Sequence, residues 1–206
     1  MTSSVLLDFD GVIIKNKHMS NLIETKSIEY IQKKYNKSMK ASKIINTYFY
    51  KTFGHTAIGP DKHNYQNNIL EYNEFVFGNM DYKKINNMMT IDDRLSLRKF
   101  KKYNYKQFGL FTNAPIDWCE NICALAQIDL YTFVDQEKCF TSNDGLIKPE
   151  KEFYQFIEKQ LIEDQKLHFI DDNVINFKCI KDNDKWTTHH LDTFTDFHSY
   201  YIDNFC

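Results

Sequence analysis

Val5-Leu6-Leu7-Asp8-Phe9-Asp10-Gly11-Val12 reads as a short buried strand that ends on two aspartates. The residue between them is apolar, so alternation along a strand predicts both carboxylates on one side. Gly11 then lets the backbone turn sharply. Two carboxylates at the mouth of an apolar strand are costly to desolvate unless a cation or a reaction uses them.

Working outward, two further apolar runs end in polar clusters, Phe108–Phe111 before Thr112-Asn113 and Leu167–Ile170 before Asp171-Asp172. Each run is followed by a helix-like pattern, and this alternation predicts an α/β protein with a parallel sheet. Trp186–Leu191 and Tyr131–Val134 read as additional strands. Open parallel sheets bind ligands beyond the carboxyl ends of their strands. Asp8/Asp10, Thr112/Asn113 and Asp171/Asp172 are therefore expected to converge on one crevice.

Roughly a hundred residues separate the first run from the second, far more than one crossover helix needs. Ser20–Tyr35 carries Leu22, Ile23, Ile28, Ile31 and Tyr35 at near-helical spacing, and Ala41–Phe53 and Asn68–Phe77 also read as helices. The expected organisation is a core of residues 1–15 and 89–206 with a helical cap over 16–88 inserted after the first strand. Leu95–Tyr103 is the helix returning to the sheet. Tyr48, Phe49, Phe53, Tyr72, Phe75 and Phe77 read as core of the insertion.

The chain has 206 residues and a net charge of −2, with none of the basic excess that nucleic-acid binding requires. Its composition favours a compact fold over disorder. Cys119, Cys123, Cys139, Cys179 and Cys206 form no metal-ligand pattern and read as reduced thiols. Asp8 and Asp10 break the N-terminal apolar run, unlike a secretory leader. No segment approaches the ~20 apolar residues that span a bilayer. The expectation is a soluble cytoplasmic protein, monomeric or homodimeric.

Thr112 and the turn N–H groups after Phe111 suit phosphate oxygens. Gly145-Leu146-Ile147-Lys148-Pro149-Glu150 places a lysine just before a proline that opens a helix at its first turn. Singly, Lys148 also reads as a surface lysine, Thr112 as a helix cap and Asp171-Asp172-Asn173 as a helix N-terminus. Taken together they describe a charge problem. At about 4 Å each carboxylate pair repels by about 4 kcal/mol at an effective dielectric of ~20, and without cations some would take up protons. Mg²⁺ accepts such hard oxygen ligands and usually shares them with phosphate. Phosphoryl transfer needs this neutralisation.

In order and spacing these four motifs resemble the haloacid dehalogenase (HAD) superfamily of phosphatases. The resemblance implies a Rossmann-like core with a helical (C1-type) cap inserted after the first strand, and a Mg²⁺-dependent phosphomonoesterase. By position, Asp8 resembles the nucleophile that forms an aspartyl-phosphate, and Asp10 the general acid and then base. Asp10 also speaks against dehalogenation, because true dehalogenases lack an aspartate there. Thr112, the backbone N–H of Asn113 and Lys148 match the phosphate-binding groups. Asp8, Asp10, Asp171 and Asp172 match the metal-binding carboxylates, and the register favours Asp172 as the direct ligand of the last pair, with Asp171 a second or water-mediated one.

Phe53-Gly54-His55-Thr56-Ala57-Ile58-Gly59, the later Glu71-Tyr72-Asn73, and Phe77-Gly78-Asn79-Met80-Asp81-Tyr82 resemble the cap of the pyrimidine 5′-nucleotidase branch. Phe169–Asn173 fits the same branch. This implies a nucleoside monophosphate such as UMP or CMP as substrate, with His55, Tyr72 and Asn73 as cap residues facing it. Asp10-Gly11-Val12 instead resembles sugar-phosphate phosphatases and phosphomutases, and Ile58 stands where fungal nucleotidases carry an arginine. A sugar-phosphate enzyme is therefore the alternative, and a catalytically inactive nucleotide- or protein-binding member is the alternative of another class.

Overall fold

The computed structural model describes residues 3–59, 65–103, 108–164, 166–192 and 195–205. At its centre lies β1 (Ser3–Leu7) in a five-stranded sheet of order β3-β2-β1-β4-β5. Its neighbours are β2 (Phe108–Phe111) and β4 (Lys166–Asp171), flanked by β3 (Val134–Phe140) and β5 (Trp186–His190). All pairings are parallel, giving the Rossmann-like α/β architecture expected. Leu7 pairs with Leu110 on one side and with Ile170 on the other. This register brings the carboxyl ends of three strands level, so Asp8, Thr112 and Asp171 emerge side by side.

Alternation divides the strands between two apolar faces. Leu6, Phe111, Leu167 and Phe169 pack with Phe153, Tyr154 and Ile157 of α7 (Lys151–Gln160). Leu7, Phe108, Leu110 and Ile170 face the other way. They pack with Trp118 and Ile122 of α6 (Ile116–Leu125) and with Phe197 and Tyr201 of α8 (Phe197–Phe205). Each fully buried Leu or Phe of this kind contributes about 1.5–3 kcal/mol.

Between β1 and β2 run α1 (Lys17–Tyr35), α2 (Met39–Phe53), α3 (Tyr65–Val76), α4 (Tyr82–Met88) and α5 (Ile91–Lys99). Asn16 and Ser38 accept from Met19 N and Ala41 N to cap α1 and α2, and Thr90 opens α5 in a reciprocal capping box with Asp93. Asn16 also ties the two ends of the helical segment together: its Nδ2 donates to Met88 O at 3.1 Å and to Asp93 Oδ2 at 2.6 Å. Ile31, Phe49, Ile69, Tyr72 and Val76 of these helices belong to the same apolar cluster as Leu7 and Trp118.

Several expectations are corrected. The first strand stops at Leu7, and a turn in which Ile13 N and Ile14 N both donate to Phe9 O carries Asp10 off the strand. Tyr131–Val134 is not a strand: Leu130–Thr132 is a 3₁₀ turn, and the strand is Val134–Phe140. Pro149 precedes α7 rather than opening it, because Glu150 is the N-cap. Tyr48, read as core, is 58% exposed. Cys119 and Cys123 are buried, Cys139 is half-buried, Cys179 is exposed, and all are free; Cys206 lies outside the described residues. No helix among the described residues is long and apolar enough to cross a membrane.

Candidate active site

Lys148 is the organising residue of the site. It has no exposed surface, and its Nζ donates to Asp171 Oδ2 at 2.6 Å and stands 3.0 Å from Asp8 Oδ1. The third partner is Phe111 O at 2.8 Å. The rings of Phe111 and Phe169 lie 5.1 and 5.0 Å from the ammonium. Burial by itself would push the Lys148 pKa down, but Asp171 and Asp8 more than offset this and hold it above its usual value. The backbone around it is clamped by Asn113, whose Oδ1 accepts from Lys148 N at 2.7 Å while its Nδ2 donates to Lys148 O at 3.0 Å. The backbone N–H of Asn113, expected to face phosphate, is not used by this clamp, which engages only the side chain.

Asp8 is buried at the end of β1. Its Oδ1 receives both the Lys148 ammonium and, at 2.8 Å, the Phe9 N–H, so Oδ2 is the oxygen with no partner among the described residues. Burial raises its pKa well above the carboxylate range; Lys148 opposes the rise, and Asp171, Asp172 and Asp10 add to it. Asp171 is fully buried, with Oδ2 accepting from Lys148 and from Asn176 Nδ2 at 2.9 Å, and Oδ1 accepting only from Asn173 N at 2.7 Å. Asp172 is exposed. It lies against Gly11, where φ is +96° and a Cβ would stand 2.3 Å from the Asp172 carboxyl carbon.

Asp8, Asp171 and Asp172 each bring one carboxylate oxygen within 4.8 Å of the others. This all-oxygen, anionic donor set fits a hard cation such as Mg²⁺. The Asn176 amide oxygen, beside the nitrogen that holds Asp171, is buried without a partner, as a water on such a cation would require. Asp10 stands outside this group of three. The turn that removes it from the strand delivers Oδ1 to the indole Nε1 of Trp118, 3.3 Å away. Burial lifts the Asp10 pKa to about 7, with the Trp118 bond opposing the rise. That value suits a group that must hold a proton and later take one.

Above the carboxylates opens a cavity of about 450 Å³. Asp8, Asp10, Thr112, Asn113 and Asp172 line its floor, and residues of α1, α2, α3 and the loop after Gly54 line its walls. Thr112 is buried at the end of β2, and its Oγ1 accepts from Ala114 N at 3.2 Å. Gly54 (φ +80°) lets this loop approach the core closely, since a Cβ there would lie 2.6 Å from Pro149 Cδ and 2.8 Å from Ile175 Cγ2.

His55 and Tyr72 line the cavity, their rings edge-to-face at 4.9 Å. Asn73 does not: its Nδ2 is turned to Ser142, 2.8 Å from Oγ and 3.3 Å from O, and ties α3 to the loop before Gly145. It follows Tyr72 by one residue, and a helix turns adjacent side chains to different faces. Trp118 and Asn176 were not identified from the sequence. Only the fold reveals that an apolar helix position supplies a donor to Asp10. Tyr50 of α2 was also missed; it lines the cavity and accepts from Asn173 Nδ2 at 3.3 Å.

Among solved structures the chain is similar to a HAD family enzyme from Bacteroides thetaiotaomicron, at 17% identity over 97% of this chain and 98% of that one, TM-score 0.49. A magnesium complex of that enzyme is similar at 16% identity and TM-score 0.47, covering 97% of this chain and 98% of that one. A HAD phosphatase from Thermococcus onnurineus is similar at 15% identity over 93% and 86% of the two chains, TM-score 0.40. No protein-family model and no curated protein matches the chain. At these identities and TM-scores the likeness assigns neither family nor activity, which have to be argued from the side chains.

Proposed function

We propose that this chain is a HAD-superfamily phosphomonoesterase, with residues 1–15 and 89–206 as catalytic core and 16–88 as cap. One observation carries the reading: a buried lysine bridges Asp8 and Asp171 beneath a cavity that Asp8 and Asp10 line. Asp8 Oδ2 attacks phosphorus and forms an aspartyl-phosphate as the bond to the leaving oxygen breaks. Asp10, protonated, gives its proton to that oxygen. In the second half Asp10 takes a proton from water, the water oxygen bonds to phosphorus, and the Asp8–phosphorus bond breaks. Lys148 neutralises charge on Asp8 and the transferring group, while Thr112 and Asn113 N–H bind phosphoryl oxygens. Asp8, Asp171 and Asp172 would hold Mg²⁺, which supplies Lewis-acid neutralisation of phosphoryl charge.

The cavity volume and its mixed aromatic and polar wall support nucleoside 5′-monophosphates, UMP or CMP, as substrates. The Gly11-Val12 form of the first motif favours a sugar-phosphate enzyme as the second reading. Phosphate release from UMP, CMP, ribose 5-phosphate and glucose phosphates with Mg²⁺ separates the two. Asp8→Asn is expected to abolish every such activity without unfolding the chain; undiminished turnover in that variant would sink the assigned chemistry.

A further inference from the structure

Tyr50 reaches from the end of α2 to the loop that follows β4, where its Oη accepts from Asn173 Nδ2 at 3.3 Å. The direction of that bond is fixed. Asn173 Oδ1 accepts from Ile175 N at 3.2 Å, which leaves the amide nitrogen to face the tyrosine. Tyr50 therefore keeps its own proton to donate, and that proton has no acceptor among the described residues. The residue is 51% exposed, yet burial is the first cause of its raised pKa, so the hydroxyl is the buried end. The charges of Asp172, Asp8 and Asp171 add to the rise, which places the hydroxyl in their field and keeps it protonated. Tyr50 lines the same cavity as Asp8, Thr112, Asn113 and Asp172. Its backbone is anchored there. Gly54 N donates to Tyr50 O at 2.9 Å, and the close approach of Gly54 to Pro149 and Ile175 seats this end of α2 on the loops that follow Lys148 and Asp172.

We propose that Tyr50 is a further catalytic residue, whose hydroxyl donates to an oxygen of the phosphoryl group, so that the phosphate site is built by the core and the helical segment together. An anionic oxygen supplies the acceptor that this donor lacks. The floor beside it turns the carboxyls of Asp8, Asp10 and Asp172 toward the ligand, so a donor on the wall meets the phosphoryl charge that they do not. A hydrogen bond to a charged oxygen is roughly twice as strong as a neutral one, and a fixed donor acts where charge develops in the transition state. The contact is to the transferring group, so its effect does not depend on which ester is bound. The inference rests on the phosphomonoesterase reading above and adds a residue to that site.

Tyr50→Phe removes the hydroxyl and keeps the ring. kcat/KM is expected to fall about tenfold, by the same factor for UMP, ribose 5-phosphate and p-nitrophenyl phosphate. The Kd of inorganic phosphate, measured by calorimetry with Mg²⁺ at pH 7.5, is expected to rise about tenfold in the same variant. Asn173→Ser separates donation from tethering: the serine hydroxyl accepts from Ile175 N in place of the amide oxygen, but nothing donates to Tyr50. This variant is expected to retain most of the phosphate affinity. Unchanged phosphate affinity in Tyr50→Phe, a loss confined to one ester, or an equal loss in Asn173→Ser overturns the proposal while leaving the phosphatase chemistry of the wild-type chain intact. Failure of the wild-type chain to hydrolyse any ester overturns both.

Discussion

Trp118 Nε1 donates to Asp10 Oδ1 across 3.3 Å, fixing the carboxyl that the turn after Phe9 has swung off the strand. Trp118 is fully buried, so its indole and the direction of Asp10 are set together by the packing of α6 on the sheet. Trp118→Phe is expected to lower kcat about tenfold with little change in KM, since the lost contact orients a proton-transfer group. The smaller ring should also destabilise the chain by on the order of 1–3 kcal/mol. Steady-state kinetics beside urea unfolding distinguishes the two effects.

Lys148→Met leaves Asp8 and Asp171 facing each other in the interior without their cation. Breaking a buried pair from one side costs about 3–5 kcal/mol, which urea unfolding at pH 7.5 reads directly. Phosphatase activity should vanish. Adding Asp171→Asn removes one of the stranded charges and is expected to restore part of the stability but none of the activity.

Gly11→Ala drives a methyl group to within 2.3 Å of the Asp172 carboxyl and imposes φ +96° on an alanine. Overpacking of this kind costs about 1–3 kcal/mol. Mg²⁺ at a hundred times its Kd is expected to stabilise the wild-type chain by about 2.7 kcal/mol, seen as a rise in Tm. Gly11→Ala and Asp172→Asn should both lose that rise. An equal rise in all three proteins would remove Asp172 from the metal site.

His55 and His189 are both held near pKa 4, by burial in each case and, for His189, also by His168 3.1 Å away. Each is neutral in the folded chain but binds a proton below about pH 6.5 once unfolded. Their contribution is therefore complete above pH 6.5 and is lost as pH falls toward 4. For His55 the loss is about 3 kcal/mol. The unfolding free energy of wild type should fall more steeply across that interval than that of His55→Asn, as denaturant titrations at fixed pH will reveal.

The strands that carry the site were legible because each is buried on both faces and ends on polar residues. Phe108–Phe111 is read with the observed bounds for this reason. β3 was misplaced for the opposite reason: it lies at the sheet edge, its Gln136 and Glu137 are exposed, and no apolar run marks it. The convergence of Asp8, Thr112, Lys148 and Asp171 was legible from spacing and motif. Which atoms they offer was not. That Asp171 accepts from Asn176, that Asn113 clamps Lys148, and that Asn73 serves Ser142 rather than the cavity all depend on side-chain directions fixed by tertiary packing.

The seat of Lys148 between Phe111 and Phe169 has a consequence for covalent chemistry. With no accessible surface and its three donors engaged by Asp8, Asp171 and Phe111 O, the amine has neither an approach path nor a lone pair to offer an acylating reagent. Reagents that modify the exposed lysines of the helices will pass it by while the chain is folded. Its labelling becomes a site-specific clock for global opening, read at the one lysine on which the proposed chemistry depends.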